Sequence, residues 1–156
     1  MNRIRLFALA ALALVALAAR GAGAPVPEVE AVLSVMGYGY SVKVLVNGVD
    51  TGVQGGKSES KRLFGKTHPM MAKAAPAVRA RHFLLLPGAN EIVIEYSRTD
   101  PKTGDRLEIT LEADGYPKPL LQLVDRQKPS DKLSVSVQVE KTAPAGFKPV
   151  FLGEAK

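Results

Sequence analysis

The feature that most constrains this chain is a two-residue alternation of apolar and polar side chains. Residues 106–113 read RLEITLEA and residues 132–140 read KLSVSVQVE, so every second side chain is apolar. Successive side chains of a β-strand point to opposite faces of the sheet, and this period therefore predicts strands with one buried face. Strands of a parallel sheet buried on both faces are apolar almost throughout, so the alternation favours antiparallel pairing.

The rest of the chain extends this pattern to about seven strands. Asn47-Gly48 supplies turn residues that accept positive φ, and Pro and Gly also occur together between residues 100 and 105. No stretch has the period of an amphipathic helix. The fold class predicted is all-β, an antiparallel β-sandwich that is immunoglobulin-like and has about seven strands. The five further strand segments are 29–35, 40–46, 79–86, 92–96 and 119–124.

Residues 82–96 read HFLLLPGANEIVIEY, in which two apolar runs flank a turn. Pro87 fixes its own φ and Gly88 accepts a positive φ, as the two central positions of a type II turn require. We predict a hairpin-like pair of strands here, with Ile92, Ile94 and Tyr96 facing the core. This stretch is interpreted as scaffold.

The N-terminal segment has the composition of a secretory signal peptide. Arg3 and Arg5 precede the uncharged run Leu6–Ala19, and small residues follow. A retained anchor is the alternative, but the run is shorter than the roughly 20 residues that span a bilayer. We predict a signal peptide at 1–24, with cleavage after Ala18 or Ala24, and a periplasmic or secreted protein without a transmembrane segment after cleavage.

The predicted mature chain is one β-sandwich domain at 25–140, followed by a Pro-containing C-terminal tail at 141–156. The tail is expected either to lie along an edge of the sandwich or to stay loose and dock on a partner. The chain has no Cys, which excludes disulfides, thiolate metal ligands and a Cys nucleophile. The hydrophobic core therefore has to hold the domain together.

The sandwich domain also carries a long basic insertion at 51–81. Connections longer than about 12–15 residues are uncommon unless they are functional or disordered, so this insertion is a candidate functional segment. Loss of residues 1–24 removes three of the 21 Lys and Arg and none of the 15 Asp and Glu, which lowers the net charge from +6 to +3. Residues 57–81 alone carry seven basic side chains and one acid, Glu59. The candidate contact residues are Lys57, Lys61, Arg62, Lys66, Lys73, Arg79 and Arg81.

Concentrated positive charge attracts anionic partners. We expect an anionic cell-envelope component or a protein partner for this segment, with a merely solvated loop as the alternative. Nucleic acid is not expected, because export removes the target and the segment has few aromatic side chains to stack on bases.

The same segment contains His68, Met70 and Met71, and His82, the second histidine of the chain, follows it directly. Imidazole and thioether groups suit copper, so a periplasmic copper-handling protein is the alternative function. The spacing matches no known metal motif, and the neighbouring Lys and Arg repel a cation. The candidate ligands under this alternative are His68, Met70, Met71 and His82.

Sequence motifs for catalysis are missing. No Gly-x-Ser-x-Gly elbow occurs, and Glu91, Glu95, Glu108 and Glu112 are predicted on outward strand faces, paired with Arg98 and Arg106. We therefore expect a non-catalytic binding or accessory module that needs no cofactor.

Three short stretches resemble parts of extracytoplasmic β-sandwich modules of the PEGA type. Val44–Gly48 with Gly52 resembles their opening strand and turn, and Leu84–Gly88 resembles their Pro-Gly turn before an alternating strand. Ala113–Tyr116 is similar to their closing Gly-Tyr. The resemblance implies a spacer or binding module on a bacterial surface and carries no functional residues with it.

Overall fold

The computed structural model describes residues 29–65, 75–76, 83–99, 106–125, 129–140 and 142–153. The predicted signal peptide lies outside these residues. The described part of the chain forms ten strands, which are β1 (Glu30–Met36), β2 (Tyr40–Val46), β3 (Val49–Asp50), β4 (Ser58–Gly65), β5 (Phe83–Leu85), β6 (Gly88–Arg98), β7 (Leu107–Ala113), β8 (Leu121–Asp125), β9 (Ser130–Val139) and β10 (Val150–Gly153).

The strands form two sheets. The six-stranded sheet has the order β10-β8-β7-β1-β4-β5, and the four-stranded sheet has the order β3-β2-β6-β9. All pairs are antiparallel except β4 with β5 and β8 with β10. The predicted all-β class and the predominance of antiparallel pairing are therefore confirmed.

One hydrophobic core is shared by both sheets. Leu33 and Ile109 from the six-stranded sheet and Val44 and Ile94 from the four-stranded sheet belong to the same buried cluster. These are the apolar members of the alternating segments, and fully burying such a side chain contributes about 1.5–3 kcal/mol. The alternation thus places one face of each sheet in a common interior, as in a β-sandwich.

Three of the ten strands were not predicted, namely β3, β4 and β10. β4 lies within the basic insertion and pairs with β1 along seven residues, from Glu30–Phe64 to Met36–Ser58. The sequence of β4 is polar because Ser58, Ser60 and Arg62 face solvent. β10 pairs in parallel with β8, so the described tail lies along an edge of the six-stranded sheet, one of the two expected placements.

The turn between β2 and β3 follows the sequence prediction. Asn47 and Gly48 have φ values of 50° and 77°, which is the conformation of a type I′ hairpin. The Asn47 amide nitrogen donates to Glu91 O (2.8 Å), and Asn47 Oδ1 accepts from the Glu91 amide (3.0 Å). The hairpin turn is therefore tied to the neighbouring strand β6.

Pro87-Gly88 joins the two sheets, and the predicted hairpin within one sheet is wrong. Gly88 has the positive φ that was expected (91°), but β5 belongs to the six-stranded sheet and β6 to the four-stranded sheet. The polar side chain of Asn90 redirects the chain here, because its hydrogen bonds hold the backbone on both sides of the turn.

The Asn90 side chain is fully buried and makes four hydrogen bonds. Its Oδ1 accepts from the Leu86 amide (2.8 Å) and from Asn47 Nδ2 (2.9 Å). Its Nδ2 donates to Leu86 O (2.7 Å) and to Gly88 O (3.1 Å). One buried amide therefore joins the turn between β5 and β6 to the turn between β2 and β3.

We expect Asn90→Leu to lower the free energy of unfolding by about 3 kcal/mol or more. Leucine has a similar volume but leaves several buried backbone groups unpaired, at about 1–3 kcal/mol each. Urea unfolding measures the loss as a lower midpoint at unchanged slope. Ser58→Ala, at an exposed position of β4, is the control and should stay within about 0.5 kcal/mol of the parent chain. A similar midpoint for the two variants would contradict the role given to Asn90.

Candidate functional site

The structure describes three of the seven predicted basic contact residues. Lys57 precedes β4, and Lys61 and Arg62 belong to it. The predicted residues that lie outside the described part of the chain are Lys66, Lys73, Arg79, Arg81 and all four candidate copper ligands, His68, Met70, Met71 and His82.

Lys61 and Arg62 point to opposite faces of the six-stranded sheet, because they are consecutive residues of one strand. Arg62 is exposed on the outer face, where its Nη1 lies 3.2 Å from Glu30 Oε1. Lys61 is half-buried and pairs in register with Leu33, whose side chain faces the core. The described basic residues therefore do not form one continuous patch.

Glu59, the one acidic residue of the basic segment, stabilises the loop before β4. Its Oε1 accepts the backbone amides of Gln54 (2.7 Å) and Gly55 (3.2 Å). Burial raises the pKa of its carboxyl, but the two amides and nearby Lys57 and Lys61 outweigh that effect and hold the pKa below its usual value. Glu59 thus fixes the loop that leads into β4.

Packing against β2 requires a glycine at one position of that loop, Gly55. Gly55 has a φ of 77°, and a Cβ at this position would collide with the carbonyl oxygen of Tyr40. The Gly56 amide donates to Tyr40 O (2.8 Å), and the Val42 amide donates to Gln54 O (2.9 Å). The loop therefore continues the β2 edge of the four-stranded sheet.

The outer face of the four-stranded sheet carries a shallow open cleft of about 650 Å³. Two cross-strand rows line it, Ser41–Ser97–Ser130 and Lys43–Glu95–Lys132. Lys132 Nζ lies 2.8 Å from Glu95 Oε1. This contact lowers the pKa of the Glu95 carboxyl and raises that of the Lys132 ammonium. Two charges of the cleft, those of Glu95 and Lys132, are therefore paired with each other.

The outward carboxylates have partners that differ in part from those predicted. Arg106 Nη2 contacts Glu108 Oε2 (2.8 Å), two residues further along the same segment, and not a glutamate across a hairpin as predicted. Glu95 pairs with Lys132 instead of Arg98, whose Nη2 donates to Tyr40 Oη (2.9 Å). Surface pairs of this kind contribute little stability, about 1 kcal/mol or less.

A buried polar cluster connects the sheets near the end of β6. The Tyr96 hydroxyl donates to Asp125, which is 5% exposed at the end of β8. Burial, followed by the contact with Asp125, raises the pKa of Tyr96 far above its usual value. The Tyr40 ring meets the Tyr96 ring edge-on at 6.1 Å, and the Arg98 guanidinium lies 5.4 Å from the Tyr40 ring centre.

Sequence reasoning placed Tyr96 on the core face but missed its polar partner. Asp125 follows the apolar run of β8 directly, and a carboxylate at that position looks like the first residue of a turn. Only the pairing of β8 with β7 and the packing of the two sheets bring it to Tyr96. A buried tyrosine needs a hydrogen-bond partner, and this need was the one available signal.

Neither a metal-ligating cluster nor a membrane helix occurs in the described residues. They contain no group of three or more His, Cys, Asp or Glu side chains that could hold a metal ion. No helix within them is apolar and long enough to cross a bilayer.

Comparison of the chain with protein families, with curated proteins and with solved structures finds no match. The function proposed below therefore rests on the residues and geometry of this chain.

We expect Glu59→Gln to reduce stability above the usual pKa of the carboxyl, 4.5, and to flatten the loss of stability in acid. The lowered pKa means that the folded state favours the carboxylate, so its contribution is present above that pH and is lost as the pH falls through the folded value. Thermal unfolding followed from pH 3 to pH 7 tests this. Glu112→Gln, at an exposed site on β7, is the control. Parallel pH profiles for parent and Glu59→Gln would contradict the role of Glu59.

We expect Tyr96→Phe to destabilise the fold by about 1–3 kcal/mol, because buried Asp125 loses a hydrogen-bond donor. The raised pKa of Tyr96 adds a pH dependence. The unfolded state releases this proton above about pH 10, so the parent chain loses stability as the pH rises further. Urea unfolding between pH 8 and pH 11 should show a weaker alkaline loss in Tyr96→Phe. An equal loss in both proteins would show that the phenol is not held protonated by the fold.

Proposed function

We propose that this protein is an exported, non-catalytic binding or accessory module with an immunoglobulin-like β-sandwich. Its partner is an anionic surface, either a cell-envelope component or a protein, and contact is made through the basic segment 57–81. The observation that carries this proposal is the pairing of β4, inside that segment, with β5, which follows it.

β4, which belongs to the basic segment, pairs with β5, which follows it, and this pairing joins the two ends of the connection at 66–82. Phe64 pairs with Phe83 at the margin of the six-stranded sheet, so residues 66–82 leave and return at the same place. Such a long connection with closed ends is uncommon unless it has a function. Four of the seven basic residues fall between these strands, and no acidic residue does.

The acids of β1 and β4 have partners outside the connection at 66–82. Glu59 accepts two backbone amides, and Glu30 is paired with Arg62. The excess positive charge is therefore concentrated on the connection between β4 and β5. Long-range attraction to an anionic surface follows, and it weakens as salt is added.

The rest of the described chain supports a scaffold role. Its cleft on the four-stranded sheet is shallow and mixed in charge. Ligand sites are typically concave and mostly apolar. Rigid sandwiches commonly present binding segments on their connections, which agrees with the placement of the basic segment.

We expect the processed protein to bind vesicles that contain anionic phospholipid more tightly than neutral vesicles, with affinity falling as salt is raised. The triple variant Lys66→Gln/Lys73→Gln/Arg79→Gln should bind about 100-fold more weakly, at about 1 kcal/mol for each basic residue near an anionic surface. Vesicle co-sedimentation measures both effects.

The matched control is Lys43→Gln/Lys118→Gln/Lys148→Gln, which removes the same charge from exposed positions elsewhere. If both triple variants lost vesicle affinity equally, the binding would depend on the net charge of the protein and not on the basic segment. Binding that is indifferent to salt would contradict the proposal. Stoichiometric copper binding in a titration would instead favour the alternative function through His68, Met70, Met71 and His82.

A further inference from the structure

β9 forms a sheet margin that differs from the other three in the described chain. The other margins are β3, β5 and β10, which have two, three and four residues, whereas β9 has ten. β9 pairs with β6 through ten consecutive residue pairs without a bulge. Long, regular margins of this kind are templates for an additional strand.

The hydrogen-bond pattern shows which groups of β9 face outward. Pro129 lies opposite Arg98, one step beyond the Ser97–Ser130 pair, and its carbonyl accepts from the Arg98 amide (2.6 Å). Directly bonded pairs alternate along antiparallel strands. The odd-numbered residues of β9 therefore bond to β6, and the backbone groups of the even-numbered residues point away from the sheet.

Two amides of this outward row, one on each side of its central part, are already bonded. The Lys132 amide donates to Asp131 Oδ1 (2.8 Å), and the Glu140 amide donates to the Tyr116 hydroxyl (2.8 Å). Between them lie Ser134, Ser136 and Gln138, whose amides make no backbone hydrogen bond to another described residue. The open part of the margin is therefore a window of three outward residues.

Side chains that could block this window turn back toward β6. Lysine on a margin strand usually discourages pairing, but Lys132 is bonded to Glu95. The Ser134 hydroxyl lies 3.2 Å from Glu91 Oε1, also on β6. β9 contains no proline. Within the part of the chain that the structure describes, the window is therefore accessible to a strand.

We propose that β9 pairs with β9 of a second copy of this chain, antiparallel and centred on Ser136, so that the two four-stranded sheets become one continuous sheet. In this register Ser136 faces its own copy and Ser134 faces Gln138. All three open residues then exchange backbone hydrogen bonds, and Lys132 and Glu140, whose amides are already bonded, mark the ends of the pairing.

The side chains of the strand are complementary to themselves in this register. Lys132 faces Glu140 of the second copy, and the twofold axis repeats this opposite-charge pair. On the inner face Val135 meets Val137 and Leu133 meets Val139, which covers the half-buried Leu133 and Val135. Serine pairs across strands already occur in this protein, since the Ser34 and Ser60 hydroxyls lie 3.1 Å apart.

This charge complementarity favours a second copy over a strand from another protein. A foreign strand would have to supply a cation for Glu140, whereas a second copy brings Lys132, which already lies beside Glu95, to this carboxylate. The pairing uses a different surface from the basic segment and does not depend on the function proposed for that segment.

Sedimentation velocity tests the proposal. The sample is the protein as it is recovered from a cell that exports it, without any engineered truncation. We expect a monomer–dimer equilibrium in the micromolar range. Ser136→Lys places two ammonium groups opposite each other on the axis, and Glu140→Lys opposes Lys132 twice. Each should weaken the dimer about tenfold or more, because like charges directly opposite each other destabilise a strand pair.

The controls separate pairing from folding. Ser97→Lys adds the same charge to an exposed site of the inner strand β6 and should leave the dimer unchanged. Lys132→Glu/Glu140→Lys, made together with Glu95→Gln so that the new carboxylate does not oppose Glu95, restores opposite charges across the pair and should recover dimerisation, while thermal unfolding verifies that each variant folds. A parent chain that stays monomeric throughout the micromolar range overturns the proposal. The proposal is also overturned if Ser136→Lys and Glu140→Lys leave the dimer affinity unchanged, or if the charge-swapped variant does not recover dimerisation.

Discussion

The side-chain amide of Asn90 joins two connections that the rest of the structure depends on. It holds the turn where the chain passes from β5 to β6, and it bonds to Asn47 at the turn between β2 and β3. These contacts set β6 beside β2 and place β5 in the opposite sheet. Because β5 then lies beside β4, the same amide also helps to determine where the basic segment returns to the sheet.

Much of the fold could be predicted from the period of two, because that period reports which face of a strand is buried. The interiors of β1, β2, β6, β7 and β9 follow it, and the Asn47-Gly48 turn follows from its φ requirement. The sheet to which a strand belongs could not be predicted, since an apolar face packs equally well on either side of a core. The alternation does not predict β4, because its outward residues are polar and its inward residues include Glu59 and Lys61.

The sequence predicts the excess of basic residues at the candidate site, but it does not predict which of them share a surface. The excess of Lys and Arg in residues 57–81 is visible in the sequence, but the division of Lys61 and Arg62 between opposite faces requires knowing that they are on a strand. The same holds for the acids, because Glu59 becomes a loop anchor only when Gln54 and Gly55 are brought to it. The alternation that identified β9 likewise says nothing about its position at a margin.

The position of β1 has a consequence for how the chain folds. β1 comes first among the described strands, yet it sits inside the six-stranded sheet with β4 and β7 as its neighbours. Its partners are far along the chain, and proteins dominated by such distant pairings fold in milliseconds to seconds instead of microseconds. β1 can therefore pair on both sides only after β4 and β7 are present. For a chain that is exported, as proposed, this delay keeps the polypeptide extended during passage and defers formation of the sheet until most of it has crossed.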